Sequence, residues 1–176
     1  MTICPPKKVI VWKNDSGITL SAIRFFYLRG MAAKRKKAGI PLQVVKLEED
    51  NYHILIETVM GNGDRCKWVV DTGASKTVFD FNRKEHFTEL PEMLTEIQSA
   101  GISEGPIDTR VGMLCPLIFA GHSIESMIVA LIDLSHINKL YDRYTQESIA
   151  GLIGSDFLIK YDAVIDFSQK KLFLNL

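Results

Sequence analysis

The sequence predicts a mainly β protein with one or two short helices: one domain over residues 41–176, behind a basic extension over residues 1–40. Three observations carry this. From Pro41 onward, apolar and polar residues alternate with a period of two, as in strands with one buried face. Turn residues interrupt the alternation at short intervals, most clearly at Gly61-Asn62-Gly63-Asp64, where Asn-Gly marks a tight hairpin. Helical spacing is confined to short stretches, the clearest with apolar residues at 134, 137, 140, 141 and 144.

Taken in order, residues 42–47 read as a short strand, and residues 52–60 as a longer one rich in β-formers. The Asn-Gly turn returns the chain into a strand over 65–70 that ends in the apolar trio Trp68-Val69-Val70. Residues 76–79 give another strand. A short helix is expected over 90–97, started by Pro91. Residues 111–120 and 123–132 form a hairpin about Gly121-His122, and 134–144 a helix. The string Gly151-Leu152-Ile153-Gly154 is a tight apolar strand opening onto a helical turn over 155–161. Residues 162–167 and 170–174 close the chain as a hairpin through Ser168-Gln169. Internal repeats and low-complexity tracts are absent from the sequence.

Composition narrows the function classes. The chain has 176 residues, 47% hydrophobic and 24% charged, which excludes disordered, collagen-like and coiled-coil proteins. No apolar run reaches 18 residues, so no standard membrane span is expected. Cys4, Cys66 and Cys115 are odd in number and contain no Cys-x-x-Cys pair, which disfavours a disulfide framework and a cysteine zinc site. Buried thiols in a reducing compartment are expected, and with them a cytoplasmic location.

The net charge of zero conceals an asymmetry. Residues 1–40 hold nine Lys/Arg against one acid, Asp15, and the rest of the chain holds twelve Lys/Arg against twenty acids. An acidic body argues against nucleic acid as the main partner. The basic stretch, with Arg24, Arg29 and Lys34-Arg35-Lys36-Lys37 around a moderately apolar 18–28, lacks the order of a secretory signal. It is open to several readings: an organelle-targeting segment, a prosegment lying on the acidic body, a disordered tail, or translation that starts at Met31.

The string that carries chemistry is Asp71-Thr72-Gly73-Ala74-Ser75, set between the strand ending at Val70 and the one beginning at Lys76. A carboxylate leaving the end of a buried strand sits in a partly desolvated cleft. Glycine at 73 lets the backbone turn tightly and brings amide N–H groups to the carboxylate. The Thr72 hydroxyl can bond backbone beneath the site, and the small Ala74 and Ser75 leave room for an extended peptide. One such aspartate is a poor catalyst; two facing each other share a proton, because like charges so close do not both ionise. One then acts as base on a water while the other donates to the scissile carbonyl.

With its partner string Leu152-Ile153-Gly154-Ser155-Asp156-Phe157-Leu158, this motif resembles the retropepsin-like aspartic proteases, single-lobed relatives of pepsin. The resemblance spans about residues 42–175 and includes the ending, Ala163-Val164-Ile165-Asp166-Phe167 and Lys171-Leu172-Phe173-Leu174. It implies a closed β-barrel of the acid-protease fold, one lobe per chain, with no cofactor and no metal. It further implies Asp71 as the catalytic aspartate and Thr72 as part of a hydrogen-bonded grip between two subunits. Gly73 would support the carboxylate and contact substrate, Ala74 and Ser75 would line the groove, and Gly154 would pack behind the catalytic loop. A flap is implied too, and Ser99 to Pro106, with Gly101, Ile102 and Gly105, is its candidate.

The chain holds one such motif. Asp108-Thr109-Arg110 is not a second copy, since arginine cannot replace the permissive glycine. A working site therefore calls for a homodimer acting on a peptide or protein substrate. The rival reading is a catalytically silent, dimeric peptide-binding module on the same fold. His53, His86, His122 and His136 show no metal-binding spacing, Gly121-His122-Ser123-Ile124-Glu125 lacks the second glycine of a nucleophile elbow, and no phosphate-binding glycine loop occurs.

Overall fold

A computed structural model describes residues 36–91 and 109–176. The strands are β1 (Lys37–Pro41), β2 (Gln43–Glu48), β3 (Asn51–Met60), β4 (Arg65–Val70), β5 (Val78–Asp80), β6 (Phe87–Glu89) and β7 (Arg110–Leu114). There follow β8 (Leu117–Phe119), β9 (His122–Ile124), β10 (Met127–Ile132), helix α1 (Ser135–Thr145), β11 (Ile149–Ile153), helix α2 (Ser155–Lys160), β12 (Val164–Asp166) and β13 (Lys171–Asn175). A 3₁₀ turn, Lys84–His86, precedes β6. Among the described residues the mainly β class with two short helices is as the periodicity predicts; the helix expected over 90–97 falls largely outside them.

The main sheet runs β6-β7-β10-β5-β11-β4-β3-β8-β9, with β2 also on β3, and a smaller sheet runs β1-β13-β12. Among the described residues β6 and β9 do not pair with each other, so the sheet is open and the expected closed barrel is not formed. Both end strands are three residues long, too short to carry the staggered register that closure needs. Residues 37–40, counted with the N-terminal extension above, lie in β1, which pairs antiparallel with β13 from Lys37↔Asn175 to Pro41↔Lys171.

The Asn-Gly hairpin forms as expected, joining β3 to β4 through Gly63 at φ 94°. The second hairpin departs from expectation. Instead of one long pair, the ladder breaks near Cys115-Pro116, where proline has no N–H to donate. The stem β7/β10 stays antiparallel, while the tip β8/β9 swings over to pair with β3. Its turn is Ala120-Gly121, both at positive φ, one residue earlier than the sequence suggests.

β4 is buried on both faces, which is why it ends in three consecutive apolar residues. Trp68 and Val70 pack with Phe79, Ile153 and Phe157 on one side. Val69 packs on the other with Val45, Leu47, Leu55, Leu134, Tyr141 and Ile149, beneath α1. The Trp68 indole N–H, buried among these, donates to Thr58 Oγ1 at 2.8 Å. Of the apolar positions that mark α1 in the sequence, Tyr141 is buried, whereas Ile137, Leu140 and Tyr144 remain more than a third exposed. Cys66 and Cys115 are both buried thiols, and burial pushes the Cys66 thiol up from its ordinary value.

Candidate active site

The site is made by parallel pairing. β11 runs parallel to β4, with Ile153 beside Val70, so both strands exit at the same edge of the sheet. The Asp71 N–H continues the ladder by donating to Ile153 O at 3.0 Å. This brings Asp71-Thr72-Gly73, leaving β4, next to Gly154 and α2, leaving β11. Two strings far apart in sequence thus meet because their strands share a direction.

Asp71 is half-buried, and its Oδ1 accepts the Gly73 N–H at 2.9 Å. Oδ2 accepts no hydrogen bond among the described residues. The Ala74 N–H donates to Asp71 O at 3.3 Å, closing a tight turn. Thr72, Gly73 and Ser75 are exposed and Ala74 is half-buried. Gly73 makes its turn without a positive φ. What favours glycine there is closeness: a Cβ would lie 3.2 Å from Asp71 Oδ1.

Beneath the loop, Gly154 packs directly against backbone. A Cβ at 154 would stand 2.5 Å from the Lys76 carbonyl carbon and 2.6 Å from its oxygen, both backbone atoms. Only glycine lets the start of α2 approach the Asp71 loop so closely. The Gly154 N–H then donates to Thr77 Oγ1 at 3.1 Å, and the Ser155 N–H to Ala74 O at 2.8 Å. The Ser155 hydroxyl donates to Thr72 O at 2.9 Å.

Three residues of this brace carried no assigned role in the sequence: Thr77, Ser155 and Asp156. Asp156 Oδ1 accepts three hydrogen bonds, each 2.8 Å, from Thr77 N–H, the Thr77 hydroxyl and the Phe157 N–H. An acid in the first turn of a helix complements the unpaired N–H groups there, and that was the signal available for Asp156. Thr77 looked like an ordinary strand residue, yet it is fully buried and bonds both sides of the loop base. The flap candidates Gly101, Ile102 and Gly105 lie outside the described residues.

One cluster among the described residues has donor atoms close enough to suit a metal ion: Asp64, Glu85 and His86. It lies at the β3–β4 turn, at the opposite end of β4 from Asp71. His86 Nε2 is 3.3 Å from both Asp64 Oδ2 and Glu85 Oε1, contacts that become ion pairs when the imidazole is protonated. A cavity of about 440 Å³ is lined by residues such as Ile40, Leu42, Glu57, Arg65 and Ile118, and includes none of the candidate site residues.

Residues 57–157 match the family model described as aspartyl protease. Among solved structures, the chain is similar to the retroviral protease-like domain of Ddi1 from Leishmania major, at 18% identity and TM-score 0.44, covering 69% of this chain and 86% of that one. It is also similar to a retropepsin-like aspartic protease from Rickettsia conorii, at 15% identity and TM-score 0.40, covering 82% of this chain and 95% of that one. No curated protein sequence matches the chain. The family match runs over β4, the Asp71 loop and the start of α2, the segments that the hydrogen bonds above tie together, and the chain belongs to the aspartyl protease family.

Proposed function

We propose that the protein is an aspartic endopeptidase that acts as a homodimer, with one Asp71 from each copy. The observation that carries this reading is the site itself: a half-buried aspartate at a strand end, with one oxygen oriented by the Gly73 N–H and the other without a hydrogen bond among the described residues. The sequence holds one Asp-Thr-Gly, so two copies supply the two carboxylates that water activation needs. In the pair, one carboxylate takes a proton from the water and the other donates to the carbonyl oxygen of the scissile bond. No covalent intermediate is required. Thr72 and Gly73 stand exposed at the tip of the loop, which suits contact with a second copy and with substrate backbone. Ala74 and Ser75 would form the floor of the groove. Exposed apolar side chains on α2 and the following segment, Ile159, Val164 and Phe167, offer further surface for association.

The test is cleavage of a diverse peptide pool between pH 3 and 8 by wild type and Asp71→Asn, each first shown to be dimeric by sedimentation. The expected result is cleavage by wild type that falls by about a thousandfold or more in Asp71→Asn. Equal cleavage by both would place the catalytic groups elsewhere. No cleavage by either, from confirmed dimers, would leave a peptide-binding module.

A further inference from the structure

Asp71 has a buried neighbour that water activation by a carboxylate pair does not call upon. β3 and β4 pair with Leu55 opposite Val69, both on the face that α1 covers. Two residues further along the same alternation stand His53, on β3, and Asp71, just beyond β4. Across this end of the face α1 lays Tyr141, which is 1% exposed. The Tyr141 hydroxyl is hydrogen-bonded to His53 Nδ1 at 2.5 Å, and the two rings are 5.7 Å apart.

The helix that carries Tyr141 is pinned on both flanks. The Asn138 side chain donates to Ile149 O at 3.1 Å and accepts the Ile149 N–H at 2.8 Å, tying α1 to β11. Buried Asp80, at the end of β5, accepts the Leu134 N–H at 3.3 Å. Tyr141 therefore cannot leave its place without breaking bonds to two strands.

Asp71 is the charge that acts on the phenol. Around Tyr141 the other contributors to the face are apolar: Val45 and Leu47 of β2, Leu55 of β3, Val69 of β4, Leu134 and Ile149. Val45 is also the β2 residue opposite His53. Lys67 shares the alternation of Val69 and Asp71 on β4, but its ammonium is engaged by Glu147 and Gln43. Lys46 of β2 lies over the ring of Tyr52, the neighbour of His53. The phenol is pushed up to about 12, first by burial and then by the negative charge of Asp71.

We propose that Tyr141 is a positioning residue for Asp71, held by His53 so that an uncharged phenol, and no further negative group, stands on the carboxylate's side of the sheet. This rests on the reading of Asp71 as the catalytic aspartate. The phenol has a single proton. When His53 Nδ1 accepts, that proton is given to the imidazole; when Nδ1 is protonated, the imidazole donates and the phenol proton is free to turn away from it. In both states the hydroxyl is uncharged. A phenolate here would set another negative charge beside two carboxylates that must share one proton. Since Tyr141 is buried, its contribution falls on the chemical step and not on substrate binding.

Two measurements test this. In protein labelled with fluorotyrosine, whose more acidic phenol titrates where the chain stays folded, the Tyr141 resonance is assigned by its loss in Tyr141→Phe. Its titration is then compared between wild type and Asp71→Asn. The midpoint is expected to drop by about half a pH unit or more when the Asp71 charge is removed. An unmoved midpoint overturns the link, whatever the activity. In peptide cleavage, Tyr141→Phe is expected to lower kcat about tenfold with KM within about twofold. His53→Leu should behave like Tyr141→Phe, while His53→Asn, which keeps a polar partner for the hydroxyl, should recover most of the rate. Full kcat in Tyr141→Phe overturns the proposal. Should wild type show no Asp71-dependent cleavage, the protease reading fails, and the resonance titration still decides whether Tyr141 and Asp71 are linked.

Discussion

The two ends of β4 are held in opposite ways. At the start, the turn from β3 is closed by bonds within a few residues: Gly63 N–H to Met60 O and Met60 N–H to Asp64 O, each 2.8 Å, and Asp64 N–H to Asn62 Oδ1 at 3.1 Å. At the far end, the Asp71 loop takes its support from Gly154, Ser155 and Asp156, delivered by a strand and helix from much later in the chain. A local turn needs only its own residues. The Asp71 loop gains its braces only once β11 has docked beside β4. Precision at Asp71 is thus a property of the assembled sheet, while the hairpin is a property of its sequence.

That contrast can be broken first at Gly154. Gly154→Ala drives a Cβ against the Lys76 backbone and is expected to cost about 3 kcal/mol, with the melting temperature falling by about 10 °C and Asp71-dependent cleavage lost. Thermal melting and the peptide assay check both. Next comes Thr77→Val, which removes one of the three hydrogen bonds to Asp156 Oδ1 and takes the Thr77 acceptor from the Gly154 N–H. A loss of about 1–3 kcal/mol is expected in urea unfolding, with a larger relative loss of kcat than of stability. At the other end of β4, Gly63→Ala forces an alanine to φ 94° and should cost about 1 kcal/mol without lowering kcat. If Gly63→Ala damages activity as much as Gly154→Ala, the distinction between the two ends fails.

The smallest effect concerns pH at the hairpin end. Burial pushes the His86 imidazole below its ordinary value, against the opposing pull of Glu85 and Asp64. The folded chain then takes up its proton at lower pH than the unfolded chain, whose imidazole titrates at about 6.5. Below that pH the unfolded state holds more protons, so stability present above it is lost as the pH falls. Calorimetry from pH 7 to 5 should show a decline in melting temperature that is shallower by about 2 °C in His86→Gln. Equal slopes would mean that His86 carries no such linkage.

What the sequence made legible follows the same division. Asn62-Gly63 announced its hairpin, because φ > 0 there is a local demand. Trp68-Val69-Val70 announced a doubly buried strand, and Asp71-Thr72-Gly73 with Leu152-Ile153-Gly154 identified the family. The hydrogen bonds from Asp156 to Thr77 could not be read, since nothing local says which strand α2 will stand beside. Tyr141 showed only as one of several apolar positions on a helix; its partner His53 sits 88 residues away. Pro116 was visible, but its effect, turning one expected strand into β7 and β8, depended on β3 being free to receive the tip. The closed barrel was expected by resemblance, and two three-residue end strands leave the sheet open instead.

The pairing of β1 with β13 has a consequence for how the chain is made. Lys37 finds its partner in Asn175, so the first strand emerges from the ribosome long before the strand it must join. Until then β1 is an open edge, apolar on one side through Ala38 and Ile40, and exposed to neighbouring nascent chains. Contacts of such long sequence separation slow folding, so the small sheet would be a late-forming unit. Slow folding, chaperone demand and aggregation during expression should therefore respond more to changes at the β1–β13 seam than to changes around Asp71.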